Sequence, residues 1–270
     1  MLKYAKSPLA SPFSRNFQKP VKWKIIQQSL RLSTARTYID IFPGNLTTAA
    51  NLKKHLHFDT SVQANVLNPA MQAAVNSNPD EVLKAYDAII ATITSGAGIA
   101  CDKPTQAEAK KAYRKLFETD VPETYLQAAL FIDLNPDDGI HMSSQSPFNP
   151  HHRKRIVAWY KALKRVHVTS DNDYLTRTYA NACILIHPPN IGDTHNNGPW
   201  TAEDNTRLLD FIQANAERNT ILLTIHPDNP LNKPINQWNK RLPDKDKYLF
   251  PYSDDKTRAI LMPRQLYKLK

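Results

Sequence analysis

Several polar clusters in this sequence carry residue types that could do chemistry. His187 ends an apolar run, Cys183-Ile184-Leu185-Ile186, and Asp193 and His195 follow it closely. Imidazole and carboxylate together suit a metal ion. Their loop, however, is rich in Pro, Asn and Gly and lacks ligand-grade spacing, so loop polarity is the expected reading and no metal site is assigned. Asp171 and Asp173 could act as a paired general acid and base; Asp171 precedes a short helical pattern, which suits a cap. His226-Pro227-Asp228 reads as a strand-ending turn. Cys101 and Cys183 are too few for a disulfide framework or a zinc cluster and read as small buried hydrophobes.

Charge gives the next signal. The net charge is +10, and residues 1–39 hold Lys3, Lys6, Arg15, Lys19, Lys22, Lys24, Arg31 and Arg36 without one acid. Such an arm attracts a phosphate backbone by releasing counterions. An Arg/Ser-rich, acid-free start also suits mitochondrial import. His151-His152-Arg153-Lys154-Arg155 is a second basic cluster, readable either as a phosphate contact or as an exposed helix start. Lys19, Lys22, Lys24 and the five residues 151–155 are the candidate nucleic-acid contacts. No apolar run is long enough to cross a membrane, and no secretory core is visible. An intracellular, nucleic-acid-associated protein is therefore expected, with DNA its first partner and further protein subunits open.

The elements that must position these residues follow from patterning. Thr37 to Phe42 is a β-rich run ended by Pro43-Gly44. Thr47–Lys54 reads as a helix, and the stretch from His57 to Leu67 as a second strand with its loop. Asn78 can cap a helix with Pro79 in its first turn, running to about Thr94 before Ser95-Gly96-Ala97-Gly98. Helices are also expected over Pro104–Phe117 and Pro122–Leu134. From Pro150 a basic helix leads to a strand at Val166–Val168 and a short helix from Asp171. A buried strand then covers Cys183–Ile186, a helix follows Thr201, and another strand spans Thr220–Ile225. Arg258–Met262 is expected to be an edge strand. Strands alternating with helices imply a doubly wound, mostly parallel sheet. The expected division is residues 1–70 as the first part of the α/β domain, 71–148 as an inserted helical subdomain, and 149–270 as the second part.

In this order the segments resemble the Dam-type DNA adenine-N6 methyltransferases. Tyr38 to Gly44 looks like the first strand and the F-x-G-x-G cofactor loop. Asn65-Val66-Leu67-Asn68-Pro69 looks like N-D-x-N-P. Ser146 to Pro150 stands near F-N-V-P-F-G, and Ser170 to Tyr174 near G-D-Y/F. Ile186-His187-Pro188-Pro189-Asn190 stands at D-P-P-Y. The resemblance implies a Rossmann-like S-adenosylmethionine-methyltransferase fold. It also implies a vestigial cofactor site at Phe42, Gly44 and Asn68, and a catalytic motif at His187, Pro188, Pro189 and Asn190.

The chemistry of those positions has changed. Only six glycines accompany 20 prolines, and Leu46 takes the loop's last glycine position, where a side chain fills space a cofactor needs. Val66 replaces the acid that would grip ribose hydroxyls and cannot accept a hydrogen bond. His187 is poorly shaped to accept from a target amino group. Asn190 lacks the aromatic face that stacks on a flipped base. Pro12 to Asn16, where the family's first glycine/lysine motif would fall, has no glycine. The expectation is a non-catalytic, DNA-associated relative without cofactor. A divergent adenine methyltransferase that uses S-adenosylmethionine and His187 stays open, as does a scaffold or RNA-binding component of a nucleoprotein assembly.

Overall fold

A computed structural model of the chain describes residues 9, 12–13, 23–30, 35–56, 59–97, 121–132, 134–135, 139–140, 150–195 and 198–263. The expected helix over 104–117 and most of the basic arm, including Lys19 and Lys22, lie outside the described residues. The chain divides into two compact units. One comprises residues 1–8, 20–67 and 165–270; the other comprises 9–19 and 68–164.

The first unit is built on seven strands: β1 (Thr37–Asp40), β2 (Ser61–Asn65), β3 (His167–Thr169), β4 (Ala182–Ile186), β5 (Thr220–Ile225), β6 (Leu249–Ser253) and β7 (Arg258–Met262). Their spatial order is β3-β2-β1-β4-β5-β7-β6. The first five are parallel; β7 runs antiparallel to β5, and β6 antiparallel to β7. The chain builds outward from β1 to β3, returns to β4 on the other side of β1, and builds outward again. Crossovers between parallel strands are right-handed as a rule, which in this strand order puts helices on both faces of the sheet. This is a doubly wound, Rossmann-like sheet with the antiparallel seventh strand of the S-adenosylmethionine-methyltransferase fold. The expected edge strand Arg258–Met262 is an inner strand instead, because Leu249–Ser253 pairs outside it despite Pro251, a residue an edge strand tolerates.

Alternation along the strands builds the core. Ile39 and Ile41, Ile184 and Ile186, Ile221, Leu223 and Ile225, and Ile260 and Met262 share one face with Leu208, Phe211, Ile212 and Ile235. Those four come from the helices Ala202–Ala216 and Asn232–Arg241. Thr201 and Asp204 close a capping box at the start of the first of them. The acid-free start of the chain is not wholly a solvated arm: Trp23–Leu30 forms α1, with Ile25 and Ile26 fully buried. Lys24 belongs to this helix.

An asparagine clasp holds the entry to β4. Asn219 Nδ2 donates to Tyr179 O (2.7 Å) and Asn215 O (3.0 Å), while its Oδ1 accepts from Ala182 N (2.9 Å). Asn215 in turn accepts from Tyr179 N and donates to Arg177 O. Both asparagines are fully buried, so no water replaces a lost partner. Asn219→Ala is expected to cost about 2 kcal/mol through the stranded Tyr179 and Ala182 groups, read as a lower denaturant midpoint at unchanged m-value.

The second unit is mostly helical: Pro69–Asn76, Pro79–Ala97, Glu123–Ala129 and Pro150–Leu163, with a small hairpin pairing Leu134–Asn135 to Gly139–Ile140. The expected helix over 122–134 is about two turns, Glu123–Ala129, and the chain turns extended at Leu134. The helix from Pro79 continues through Ser95 and Gly96. Asn78 accepts from Asp80 N at its start. Phe13 stacks on Phe131 (4.8 Å between centroids), and both meet the Trp159 ring edge-on.

Candidate functional site

In an open parallel sheet the ligand crevice lies beyond the carboxyl ends of the strands where the order reverses, here between β1 and β4. The residues after β1 are Ile41-Phe42-Pro43-Gly44-Asn45-Leu46; those after β4 are His187-Pro188-Pro189-Asn190. Two of the sequence candidate groups therefore meet at one place in the first unit.

The β1 loop keeps the backbone of a glycine turn, with Gly44 retained and leucine at the last glycine position. Gly44 has φ 50° and Leu46 φ 60°, a left-handed conformation that costs a leucine about 1–2 kcal/mol. Leu46 N donates to Pro43 O (2.7 Å), and Asn45 Oδ1 takes the Thr47 amide (3.1 Å) at the start of the helix Thr47–His55. The Leu46 side chain is fully buried. Phe42 lies edge-on to Tyr174 (5.7 Å) and Trp200 (5.4 Å), and all three rings are buried. Trp200 is pinned by its Nε1 donating to Asn205 Oδ1 (2.8 Å). Aromatic side chains of the chain itself thus pack over the end of β1.

Asp40, the last residue of β1, is the functional-type residue that pattern reading passed over as part of a buried strand. Its register partners are Ala64 on β2 and Leu185 on β4, so neither neighbouring strand offers it a charge. The Phe42 amide donates to its carboxylate, but among the described residues Oδ2 has no hydrogen-bond partner, nor has the buried hydroxyl of Thr47. Burial outweighs the one amide and pushes the Asp40 pKa up to about 7. A carboxylate in an otherwise apolar strand end is the signal that could have found it.

His187 is held by Thr224 on β5: Nδ1 lies 3.0 Å from Thr224 O and 2.8 Å from its hydroxyl. A carbonyl only accepts, which assigns the Nδ1 proton. The residue keeps some surface, but its ring is enclosed, and this pushes its pKa below the ordinary histidine value. It is a neutral imidazole anchored to the neighbouring strand. Pro188 and Pro189 are buried. Asn190 is exposed, and its amide and Nδ2 both donate to Asp193 Oδ2 (3.0 and 3.1 Å). Asp193 thereby serves as a loop clamp, and Trp200 N donates to its carbonyl (2.8 Å). Among the described residues, no three His, Cys, Asp or Glu side chains gather to hold a metal ion.

Asp171 pairs with Arg177 and accepts from Asp173 N, an Asx turn leading into the 3-10 turn Tyr174–Thr176. Asn65 brackets Asp171 through its backbone. Val66 is buried, with its amide on Thr169 O. In the second unit, Asn68 caps the helix Pro69–Asn76 by accepting from Met71 N (3.0 Å). The 151–155 cluster does not present a single face. His152 is buried, with Nε2 2.7 Å from Phe131 O, and burial lowers its pKa. Arg153 makes a forked pair with Asp87 at 2.8–3.1 Å. His151 and Lys154 are exposed and Arg155 half-buried.

No family model matches the chain, and no curated protein matches it. Among solved structures, it is similar to the rRNA methyltransferase AviRa from Streptomyces viridochromogenes, at 16% identity and a TM-score of 0.36, over 89% of this chain and 82% of that one. Among the described residues, no helix is long and apolar enough to cross a membrane.

Proposed function

We propose that this chain is a methyltransferase-fold protein that does not transfer methyl groups and works by binding, with DNA as its partner. The observation that carries the first part is the packed crevice at the β1–β4 switch point. Phe42, Leu46, Tyr174 and Trp200 are buried there, in the region where a doubly wound sheet receives its ligand. These residues do not fit S-adenosylmethionine. Leu46 fills the turn that a glycine would leave open, and the Val66 side chain offers no acceptor to a ribose. The loop's glycine-like backbone supports descent from a ligand-cradling turn; its side chains argue against present use.

The DNA part rests on charge: +10 overall, with an acid-free start and a second acid-free stretch from Gly139 to Ser170. S-adenosylmethionine at millimolar concentration is expected to leave the melting temperature unchanged. A ligand at a hundred times its dissociation constant would add about 2.7 kcal/mol of stability. A saturable rise would instead favour the divergent-enzyme reading, which the buried acid Asp40 beside the loop keeps chemically meaningful.

A further inference from the structure

We infer that the outward face of the helix Pro150–Leu163, continued by Lys164, is a sequence-independent docking surface for the phosphodiester backbone of duplex DNA; this rests on the DNA-binding reading above. The helix has two faces. Ile156, Trp159, Tyr160 and Leu163, at i, i+3, i+4 and i+7, are buried. Opposite them, Lys154, Lys161 and Lys164 are exposed. At 100° per residue the three lie within an arc of about 80°, along roughly 15 Å of helix. None of them forms an ion pair among the described residues.

Among the described residues, no acid of this unit pairs with a lysine of that face. The described acids are Asp80, Glu81, Asp87 and Glu123. Asp87 is taken by Arg153, and Glu123 accepts from Gln127 while keeping its charge. Between the lysines, Ala158 is small and half-buried and Val157 is the only exposed apolar side chain, at 40%. A protein partner would need a central aromatic or large apolar anchor. A polyanion needs only unpaired charge and a low profile between charges. Lysine is a flexible point charge suited to phosphate, whereas the forked guanidinium of Arg153, which could read a guanine edge, is already occupied. The chemistry therefore points to backbone contact without base readout.

The test is a titration of the full chain against an arbitrary duplex at several salt concentrations. Two variants accompany the wild type: Lys154→Gln/Lys161→Gln/Lys164→Gln, and a charge-matched control, Lys233→Gln/Lys240→Gln/Lys256→Gln, on exposed lysines of the first unit. Unchanged melting curves confirm that both variants fold. Three phosphate contacts contribute a log–log salt slope of about −2.7 at −0.9 each. The first variant is expected to lose about that much slope and to bind all sequences more weakly alike, while the control keeps its slope. Equal losses in both variants, or no loss in the first, would overturn this surface while leaving DNA binding intact. No binding by the wild-type chain even at low salt would overturn the DNA reading itself, and the surface with it.

Discussion

At pH 8 the Asp40→Asn variant is expected to melt well above the wild-type chain, and below pH 4 that advantage should vanish. Asp40 is flanked by Ala64 and Leu185, and one of its carboxylate oxygens has no partner among the described residues. Its pKa rises from 3.8 to about 7 on folding. The folded state therefore binds the proton more tightly than the unfolded chain, so stability is fully present below the unfolded value and falls as pH rises through about 7. About three units of pKa correspond to roughly 4 kcal/mol once both states are ionised. An uncharged amide avoids that cost but brings its own unmatched group, worth about 1–3 kcal/mol. The net gain at pH 8 is about 2 kcal/mol, or roughly 4–8 °C for a chain of this size. Histidines 152 and 187 act in the opposite sense. Their lowered pKa values mean that stability is lost as pH falls below the ordinary histidine value. Melting curves from pH 4 to 8 measure both limbs. An Asp40→Asn variant destabilised equally at pH 4 and pH 8 would show that the acid is not held neutral.

The sheet was readable because its strands are buried on both sides and so appear as short apolar runs: Cys183–Ile186 and Thr220–Ile225 need no context. The helix after Thr201 announced itself by its capping box. What stayed hidden depends on distant partners. Leu249–Ser253 contains a proline and little alternation, and becomes a strand only because β7 is there to pair with it. Asn232–Arg241 carries Pro234 and four polar residues in its first seven, and its burial of Ile235 is a tertiary fact. The basic cluster at 151–155 was legible as composition but not as a face: Arg153 is drawn to Asp87, 66 residues earlier. The lysines that share a side with Lys154 come seven and ten residues later. At the crevice, Leu46 and Val66 were visible as substitutions, whereas Trp200 was not. Its place against Phe42 depends on the loop from Asn190, which Asp193 folds back.

That loop gives the most direct test of whether the crevice is a filled former ligand site or an ordinary piece of core. Trp200→Ala is expected to cost about 3–5 kcal/mol, the range for deleting a buried aromatic. The upper end is favoured because Asn205 Oδ1 loses the indole proton it accepts. The space left is lined by Phe42 and other apolar groups, and a dry apolar cavity accepts a ligand of the missing shape. Indole in millimolar excess should therefore recover part of the lost stability, which also shows that the variant is folded. S-adenosylmethionine should recover none, even with Leu46→Gly added to reopen the turn. Space alone does not restore a polar acceptor at Val66, and a charged ligand without matched partners costs more than its burial returns. If S-adenosylmethionine stabilised the Trp200→Ala chain saturably while leaving the wild type unchanged, Trp200 would be a plug over a working site. The account of a decayed one would then fail. If neither compound acted, the crevice would have collapsed on the loss of the ring, and the packing over β1 would be core without a ligand history.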